Sequence, residues 1–277
     1  MRLVTYRSGR GDRAGVVRDD AVVDAWDALG GGRASVRELL AADRVNELMD
    51  VDGKRIALTD VELRPPVPDP DKIVCIGLNY SEHAAEAGME PPESPAIFGK
   101  YRNALAAPGA TVPLPAASRK VDFEAEVAFV IGRRAKEVPE AHALDHVAGY
   151  MLLNDLSARD LQFATPQWMA GKVFDGSAPC GPALVTPDEA GPADAIEFAL
   201  DLNGERMQAS DTGGLIFSVA ALVAHLSRLM TLEPGDIVAT GTPSGVGSTR
   251  DPRVWLEPGD EIVISSPQLG ELRTLIG

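Results

Sequence analysis

Glu124 and Glu126 stand two residues apart in the run Asp122-Phe123-Glu124-Ala125-Glu126. On an extended strand this spacing turns both carboxylates to one face. Carboxylates side by side repel, so the pair either faces water or shares a cation. Spacing alone leaves both readings open: a solvated polar face, or a hard-cation site. Oxygen-only ligands suit Mg²⁺ or Mn²⁺, with Ca²⁺ as a substitute, better than Zn²⁺. Such a site needs a further oxygen ligand. Asp155 follows an apolar run at 150–153, would sit at a strand end, and can supply it.

A second group lies in Asn79-Tyr80-Ser81-Glu82-His83-Ala84-Ala85-Glu86. On a helix, His83 and Glu86 share a face at i, i+3, within hydrogen-bond reach. A carboxylate that orients an imidazole makes a general base able to activate water. An exposed polar helix with an accidental pair has the same spacing. Gly88, Pro91, Pro92 and Pro95 follow, and a short helix running into prolines predicts a mobile lid over about residues 80–98. The run Thr240-Gly241-Thr242-Pro243-Ser244-Gly245-Val246-Gly247 lets backbone N–H groups approach an anion closely. It lacks the Lys-Ser/Thr ending of a nucleotide-binding loop, and a tight structural loop is the plainer reading. Arg159, Gln162 and Lys172 add cationic and amide groups between apolar runs, where structural ion pairing accounts for each taken alone. His142 and His146 have the i, i+4 spacing of a helical metal pair but no third zinc ligand, which leaves them as surface histidines. His225 falls within an amphipathic helix, as packing or surface.

The frame that must hold these groups is rich in strands. Residues 122–132 alternate, with Phe123, Ala125, Val127, Phe129 and Ile131 on one face and Glu124, Glu126, Ala128 and Val130 on the other. Residues 72–77 read as a short apolar strand, and 196–202 as an alternating strand ahead of an Asn203-Gly204 hairpin turn. Residues 218–230 place Val219, Leu222, Val223, Leu226, Leu229 and Met230 at helical spacing. Leu-Glu-Pro-Gly-Asp occurs at 232–236 and again at 256–260, where Pro then Gly fits the centre of a type II turn feeding a strand. Before all of this comes a small module, with β runs at 3–6, 15–18 and 21–26 and a helix over 35–49. Pro65, Pro66, Pro68 and Pro70 can belong neither to a central strand nor to a helix interior. They predict a boundary between a small N-terminal domain, 1–66, and a larger domain, 67–277.

Composition excludes several roles. The hydrophobic fraction of 45% over 277 residues is ordinary and supplies a packed core. Lys plus Arg is 26 against 41 for Asp plus Glu, a net charge of −15. That balance argues against a nucleic-acid partner and against an anionic membrane surface. A small anion remains compatible, because a local pocket can be positive on an acidic protein. Cys75 and Cys180 make no disulfide framework, which fits a reducing cytoplasm. No charged-then-apolar segment opens the chain, and the longest apolar stretch, near 215–226, is too short and polar to span a bilayer. A soluble, cytoplasmic protein is expected.

Taken together, the motifs resemble the fumarylacetoacetate hydrolase family, in its short bacterial form. The carrying residues are Gly77-Leu78-Asn79-Tyr80 with His83 and Glu86, then Asp122 to Glu126, and Asn154-Asp155 with Ser157-Ala158-Arg159-Asp160 and Gln162. Gly171-Lys172 with Phe174-Asp175, Met207-Gln208, Pro234-Gly235-Asp236 and the 240–247 run follow in the family's order, over about 72–270. The resemblance implies an α+β, β-rich fold: a mixed β-roll or sandwich C-terminal domain with a small N-terminal α+β domain, commonly a homodimer. It implies Glu124, Glu126 and Asp155 as ligands of Mg²⁺ or Mn²⁺, His83 and Glu86 as a catalytic dyad on a lid, and a catalytic Lys172. Arg159, Gln162, Thr242 and Tyr80 match positions around the substrate. One departure is Gly176-Ser177 after Phe174-Asp175, where many members have Thr first, and it bears on substrate shape.

The chemistry so implied starts from a 2-oxo acid that chelates a cation through its keto oxygen and carboxylate, so that the cation steadies an enolate. The first expectation is a metal-dependent hydrolase that cleaves a C–C bond of an acylpyruvate or related 2,4-dioxo acid with dyad-activated water. The alternative is a decarboxylase or isomerase of a catabolic 2-oxo diacid, of the oxaloacetate or 2-hydroxyhepta-2,4-diene-1,7-dioate type. A third reading, a non-catalytic small-acid binding protein, sits poorly with an intact His83–Glu86 pair, since binding alone needs no base.

Overall fold

The computed structural model describes every residue of the chain except Arg33, Ala87 and Met89. Three antiparallel strands open it: β1 (Arg2–Ser8), β2 (Gly11–Arg18) and β3 (Ala21–Asp24). The run expected to reach residue 26 stops at Asp24, whose carboxylate accepts the Asp27 N–H and caps a one-turn helix, Ala25–Ala28. Helix α1 (Val36–Ala41) starts in a capping box formed by Ser35 and Glu38. The helix expected over 35–49 is cut short: Asp43 takes a φ of 52°, and a separate 3-10 turn, Val45–Leu48, follows. A left-handed residue cannot continue an α-helix, yet the apolar spacing survives because Leu39, Leu40 and Leu48 enter one core.

The main elements that follow are β4 (Arg55–Ala57), β5 (Ile73–Gly77), α2 (Ser81–Glu86), β6 (Ala96–Lys100), β7 (Ala125–Ile131) and β8 (Val147–Asn154). Then come β9 (Ala178–Val185), β10 (Glu197–Leu202), β11 (Glu205–Asp211), α3 (Val219–Leu229), β12 (Ile237–Ala239), β13 (Glu261–Ser266) and β14 (Gly270–Ile276). The large sheet runs β4-β3-β2-β1-β9-β8-β7-β12-β5-β6. It is mixed, because β12 and β5 pair in parallel. The N-terminal strands extend this same sheet through the pairing of β1 with β9. A second sheet runs β11-β10-β13-β14, with Thr111–Val112 added in parallel at β14. The β-rich fold expected from the sequence is therefore present.

Turn chemistry follows the sequence closely. Asn203 and Gly204, with φ of 52° and 82°, link β10 to β11 in a two-residue hairpin. In both Glu-Pro-Gly-Asp turns the Asp N–H donates to the Glu carbonyl, and the Asp carboxylate accepts the Glu N–H. Gly235 and Gly259 supply the positive φ, 91° and 98°. Helix α3 begins where expected, with the Ser218 hydroxyl accepting the Ala221 N–H.

All of β7 is buried. Its odd residues Val127, Phe129 and Ile131 pack in a core with Phe198, Leu200 and Ile264 of the second sheet and Leu222 and Leu226 of α3. Its even residues Ala128 and Val130 pack in another core, with Leu3, Trp26 and Leu39. The alternation over 122–132 thus separates two apolar cores instead of core from solvent, and the strand proper begins just after Glu124. Phe129→Ala should empty a fully enclosed position and cost about 3–5 kcal/mol, measured by denaturant unfolding; a loss below about 1 kcal/mol would mean that this core is not rigidly packed.

Candidate active site

Strand register brings the acidic residues together. Ala125 faces Asn154 across β7 and β8, the Asn154 side-chain oxygen accepts the Glu124 N–H at 3.0 Å, and the Asp155 N–H donates to the Glu124 carbonyl at 2.9 Å. Glu124, Glu126 and Asp155 consequently project from the same end of the strand pair, each with a carboxylate oxygen within 4.8 Å of the others. They are 5%, 1% and 0% exposed, so the solvated-face reading of the glutamate pair is excluded.

Buried charge of this density requires compensation. Lys172 Nζ donates to Glu124 Oε2 at 2.6 Å and to Asp155 Oδ2 at 2.8 Å. Arg159 Nη1 donates to Glu124 Oε1 at 2.6 Å and to Gln162 Oε1 at 3.0 Å, while its Nε donates to Asp122 Oδ2 at 2.9 Å. Burial acts to raise the Glu124 pKa, but Lys172 and Arg159 outweigh it and bring it down to about 2. Burial likewise opposes the charge on Lys172, and Asp155 and Glu124 overcome it, so the ammonium is held above the usual lysine range. Glu126 is different. Among the described residues no lysine or arginine forms an ion pair with it, and the one hydrogen bond to its carboxylate is the Gly241 N–H at 2.8 Å. Burial, then the charges of Asp155 and Glu124, push its pKa well up.

The glycine-rich run at 240–247 does bind anions, but they are the protein's own carboxylates. Gly241 N–H serves Glu126, Gly245 N–H serves Glu86 at 3.1 Å, and Gly247 N–H serves Asp122 Oδ1 at 2.8 Å. The Ser248 N–H adds a contact to Asp122 Oδ2 at 3.0 Å. A Cβ at Gly245 would meet the Met207 carbonyl oxygen at 2.3 Å, which explains the glycine there. Thr242 is held in the same loop, its hydroxyl oxygen accepting from Gln208 Nε2 at 2.8 Å.

His83 and Glu86 lie on α2 as the spacing predicts, with His83 Nδ1 3.4 Å from Glu86 Oε2. His83 is buried at 9% exposure, although Ser81, Glu82, Ala85 and Glu86 on the same helix are exposed. Glu82, on the neighbouring face, receives the Ser244 hydroxyl at 3.4 Å, so α2 docks on the glycine-rich loop through two acids. Of the stretch expected to act as a lid, Ala87 and Met89 lie outside the described residues.

His83, Glu124, Glu126, Arg159, Gln162, Lys172 and Thr242 all line one cavity of about 410 Å³. Tyr80 does not. Its ring is 3% exposed, stacks edge-on against Phe198 at 6.5 Å, and its hydroxyl donates to the Asp211 carbonyl at 3.2 Å. Its expected substrate contact is corrected to a core role, because at the helix entrance its side chain turns toward the second sheet. His142 is exposed and 3.7 Å from Asp145, and His146 Nδ1 is 3.2 Å from the Arg133 carbonyl, so neither approaches the site.

Lys100 was not legible from the sequence. It ends β6, is 3% exposed, and its Nζ lies 2.8 Å from Asp155 Oδ1 while donating to the Lys172 carbonyl and to Ser177 O and Oγ, the last two at 2.9 Å. Only a charged residue closing an apolar strand could have hinted at it. Asp122 was visible within the acidic run but not as the anchor that joins Arg159 to the glycine-rich loop.

The residues present fit a hard divalent cation. The donors are all oxygens, Glu126 lacks a cation, and Asp155 Oδ1 is buried without accepting a hydrogen bond although it faces Lys100.

A family model described as fumarylacetoacetate (FAA) hydrolase, C-terminal, matches residues 72–276. The chain belongs to the fumarylacetoacetate hydrolase family. Among its relatives in this family, a fumarylacetoacetate hydrolase domain-containing protein 2 homolog of Dictyostelium discoideum is 39% identical over 98% of this chain and 96% of its own length. The oxaloacetate tautomerase FAHD2B, mitochondrial, of Bos taurus is 42% identical over 76% of this chain and 68% of its own. The crystal structure of maleylpyruvate hydrolase from Sphingobium sp. SYK-6, in complex with manganese(II) and pyruvate, superimposes with a TM-score of 0.81 at 31% identity, covering 100% of this chain and 98% of that one.

Lys172→Met should strand Glu124 and Asp155 without their shared ammonium and lower stability without added cation by about 3–5 kcal/mol. Denaturant unfolding in a chelating buffer measures this, and a loss under about 1 kcal/mol would show that the pair is not charged together.

Proposed function

We propose that this chain is a divalent-metal-dependent enzyme of small 2-oxo acids, and that it hydrolyses the C–C bond of an acylpyruvate or related 2,4-dioxo acid. The observation that carries this reading is one cavity lined both by Glu124 and Glu126 of the buried oxygen-donor cluster and by a carboxylate-oriented histidine. Glu124, Glu126 and Asp155 would hold Mg²⁺ or Mn²⁺. When bound, the cation supplies Lewis-acid stabilisation of negative charge developing on the keto oxygen of a 2-oxo acid.

The chain's own groups account for the rest. Glu86 lies against Nδ1 of His83, which leaves Nε2 to take a proton from water. The resulting hydroxide attacks the distal carbonyl, the bond between that carbon and C3 breaks, and the proton returns from His83 to C3. Arg159, Gln162 and Thr242 line the cavity and would offer N–H and O–H groups to the carboxylate head, and Lys172 keeps a positive charge beside Glu124 and Asp155. Closure of α2 on the glycine-rich loop excludes bulk water while the proton is in transit.

A second reading is isomerisation of a 2-oxo diacid, favoured by the relative named oxaloacetate tautomerase. There His83 would exchange a proton with C3 directly, and no water attacks. A panel assay of acylpyruvate hydrolysis, oxaloacetate tautomerisation and oxaloacetate decarboxylation, with Mg²⁺ or Mn²⁺ present, separates the readings.

His83→Ala should lower hydrolysis by about 10²–10⁴-fold, the usual cost of losing a general base. Oxalate, which mimics the chelating head, should keep its affinity within about threefold, a shift under about 1 kcal/mol. Wild-type turnover in this variant would remove His83 as the base. Added Mg²⁺ should raise the melting temperature of the wild type and not that of Glu124→Ala. Because Glu126 holds its proton to unusually high pH, and a cation binds the carboxylate form, Mg²⁺ binding should release a proton and tighten as pH rises toward that pKa. Calorimetry in two buffers of different ionisation enthalpy reads the proton; affinity independent of pH would contradict the carboxylate assignment.

A further inference from the structure

Met207 and Gln208 are consecutive residues of β11, yet both are buried, at 8% and 2% exposure. In a regular strand successive side chains alternate between faces. Here the pairing of β10 with β11 slips: Leu200 faces Gln208 while Asp201 faces Arg206, so Met207 is an extra residue without a cross-strand partner. A bulge of this kind re-aims the side chains around it. The Met207 carbonyl accepts Arg250 Nη2 at 2.7 Å, and Arg250 Nε donates to the Gly245 carbonyl at 3.1 Å, which ties the bulge to the glycine-rich loop. The Gln208 side chain meets the same loop at Thr242 and Pro243.

Both polar atoms of the Gln208 amide have partners. Oε1 accepts the N–H of Ala125, the residue between the two glutamates, at 2.9 Å. Nε2 donates to the Pro243 carbonyl at 3.0 Å and to Thr242 Oγ1 at 2.8 Å. Two of these partners fix which end of the amide is which. A backbone N–H can only donate and a backbone carbonyl can only accept, so the oxygen must face Ala125 and the nitrogen must face Pro243. The same nitrogen then stands beside Thr242. An amide nitrogen offers hydrogens and no lone pair, so the Thr242 hydroxyl must accept there. A threonine hydroxyl has a single proton, which is thereby left for another acceptor. No described residue takes it. Thr242 is 4% exposed and lines the cavity of about 410 Å³.

We propose that Gln208 is a positioning residue that fixes the Thr242 hydroxyl as a hydrogen-bond donor to the carboxylate head of a bound 2-oxo acid. This rests on the reading that such a head binds in this cavity. Gln208 is not itself part of the cavity lining and acts through Thr242. What it sets is polarity. Glutamate has the same shape and can still accept the Ala125 N–H, but it presents an oxygen where Nε2 stands. Thr242 would then donate its proton to that oxygen and have none for the ligand.

The test is a double-mutant cycle on oxalate affinity, measured by calorimetry with Mg²⁺ present. Thr242→Val should weaken oxalate about tenfold, the loss of one hydrogen bond to a charged group, while Thr242→Ser stays within about threefold of wild type. Gln208→Glu should weaken oxalate about tenfold more in the wild type than in Thr242→Val. The added negative charge acts in both backgrounds and cancels, whereas withdrawal of the hydroxyl proton acts only where a hydroxyl is present. In Thr242→Ser the full effect of Gln208→Glu should return. An equal factor in the wild-type and Thr242→Val backgrounds overturns the proposal and leaves Gln208 as a tie of the loop alone. Equal oxalate binding by wild type and Thr242→Val also overturns it, with the reading of the site as a 2-oxo acid pocket still standing. Absence of oxalate binding by the wild type with Mg²⁺ overturns both. Gln208→Met runs the same cycle without added charge and decides the matter if Gln208→Glu does not fold. It frees the hydroxyl to turn, so it should weaken oxalate about threefold in the wild type and not in Thr242→Val. The same factor in both backgrounds again overturns the proposal.

Discussion

The structure turns on the burial of four carboxylates in one place. Asp122, Glu124, Glu126 and Asp155 are each no more than 5% exposed. Bare carboxylates at that depth would be strongly unfavourable, and the fold answers with Lys100, Arg159 and Lys172, which ion-pair with all but Glu126. Glu126 is left without a cation, and burial beside the other carboxylates favours its neutral, protonated form. The oxygens of Glu124, Glu126 and Asp155 lie close enough together to hold a metal ion.

Backbone supplies the second half of the compensation. The glycine-rich loop delivers N–H groups to Glu126, Glu86 and Asp122 in turn, which ties the acidic cluster, the α2 helix and the Arg159 anchor to one segment. Side chains there would collide with neighbouring backbone, as at Gly245 and at Gly247, where a Cβ would meet the Val254 carbonyl oxygen at 2.2 Å. The same loop therefore sets the position of the histidine pair relative to the acids. The contacts that hold α2 and those that hold the acidic cluster both run through this loop.

The large sheet gives this cluster a rigid base. β7 and β8 lie at its centre with apolar cores on both faces, and the acids emerge only where the strand pair ends. Lys100 arrives from β6 at the sheet edge and Lys172 from a 3-10 turn after the Arg159 helix, so the positive charges come from separate elements of the chain. A site built this way depends on sheet register, since a one-residue slip of β7 would turn Glu124 and Glu126 into the opposite core.

The sequence by itself determined the local grammar of this protein. Alternation over 122–132, the Asn203-Gly204 hairpin, the paired Pro-Gly turns and the helix over 218–230 are governed by backbone sterics and side-chain period within a few residues; the hairpin and turns are found as read, while the strand is trimmed to 125–131 and the helix to 219–229. The pairing of His83 with Glu86 is equally local. Only the tertiary structure decided what depends on distant partners. The even face of β7 could be solvated or buried, and it is buried because the N-terminal strands and α1 cover it. Tyr80 could face the cavity or the core, and contact with Phe198 takes it into the core. Lys100 reaches Asp155 across more than fifty residues of chain, and the glycine-rich loop reaches Glu126 across more than a hundred. Those charges meet through strand pairing, and no spacing along the chain encodes a distance set by the sheet.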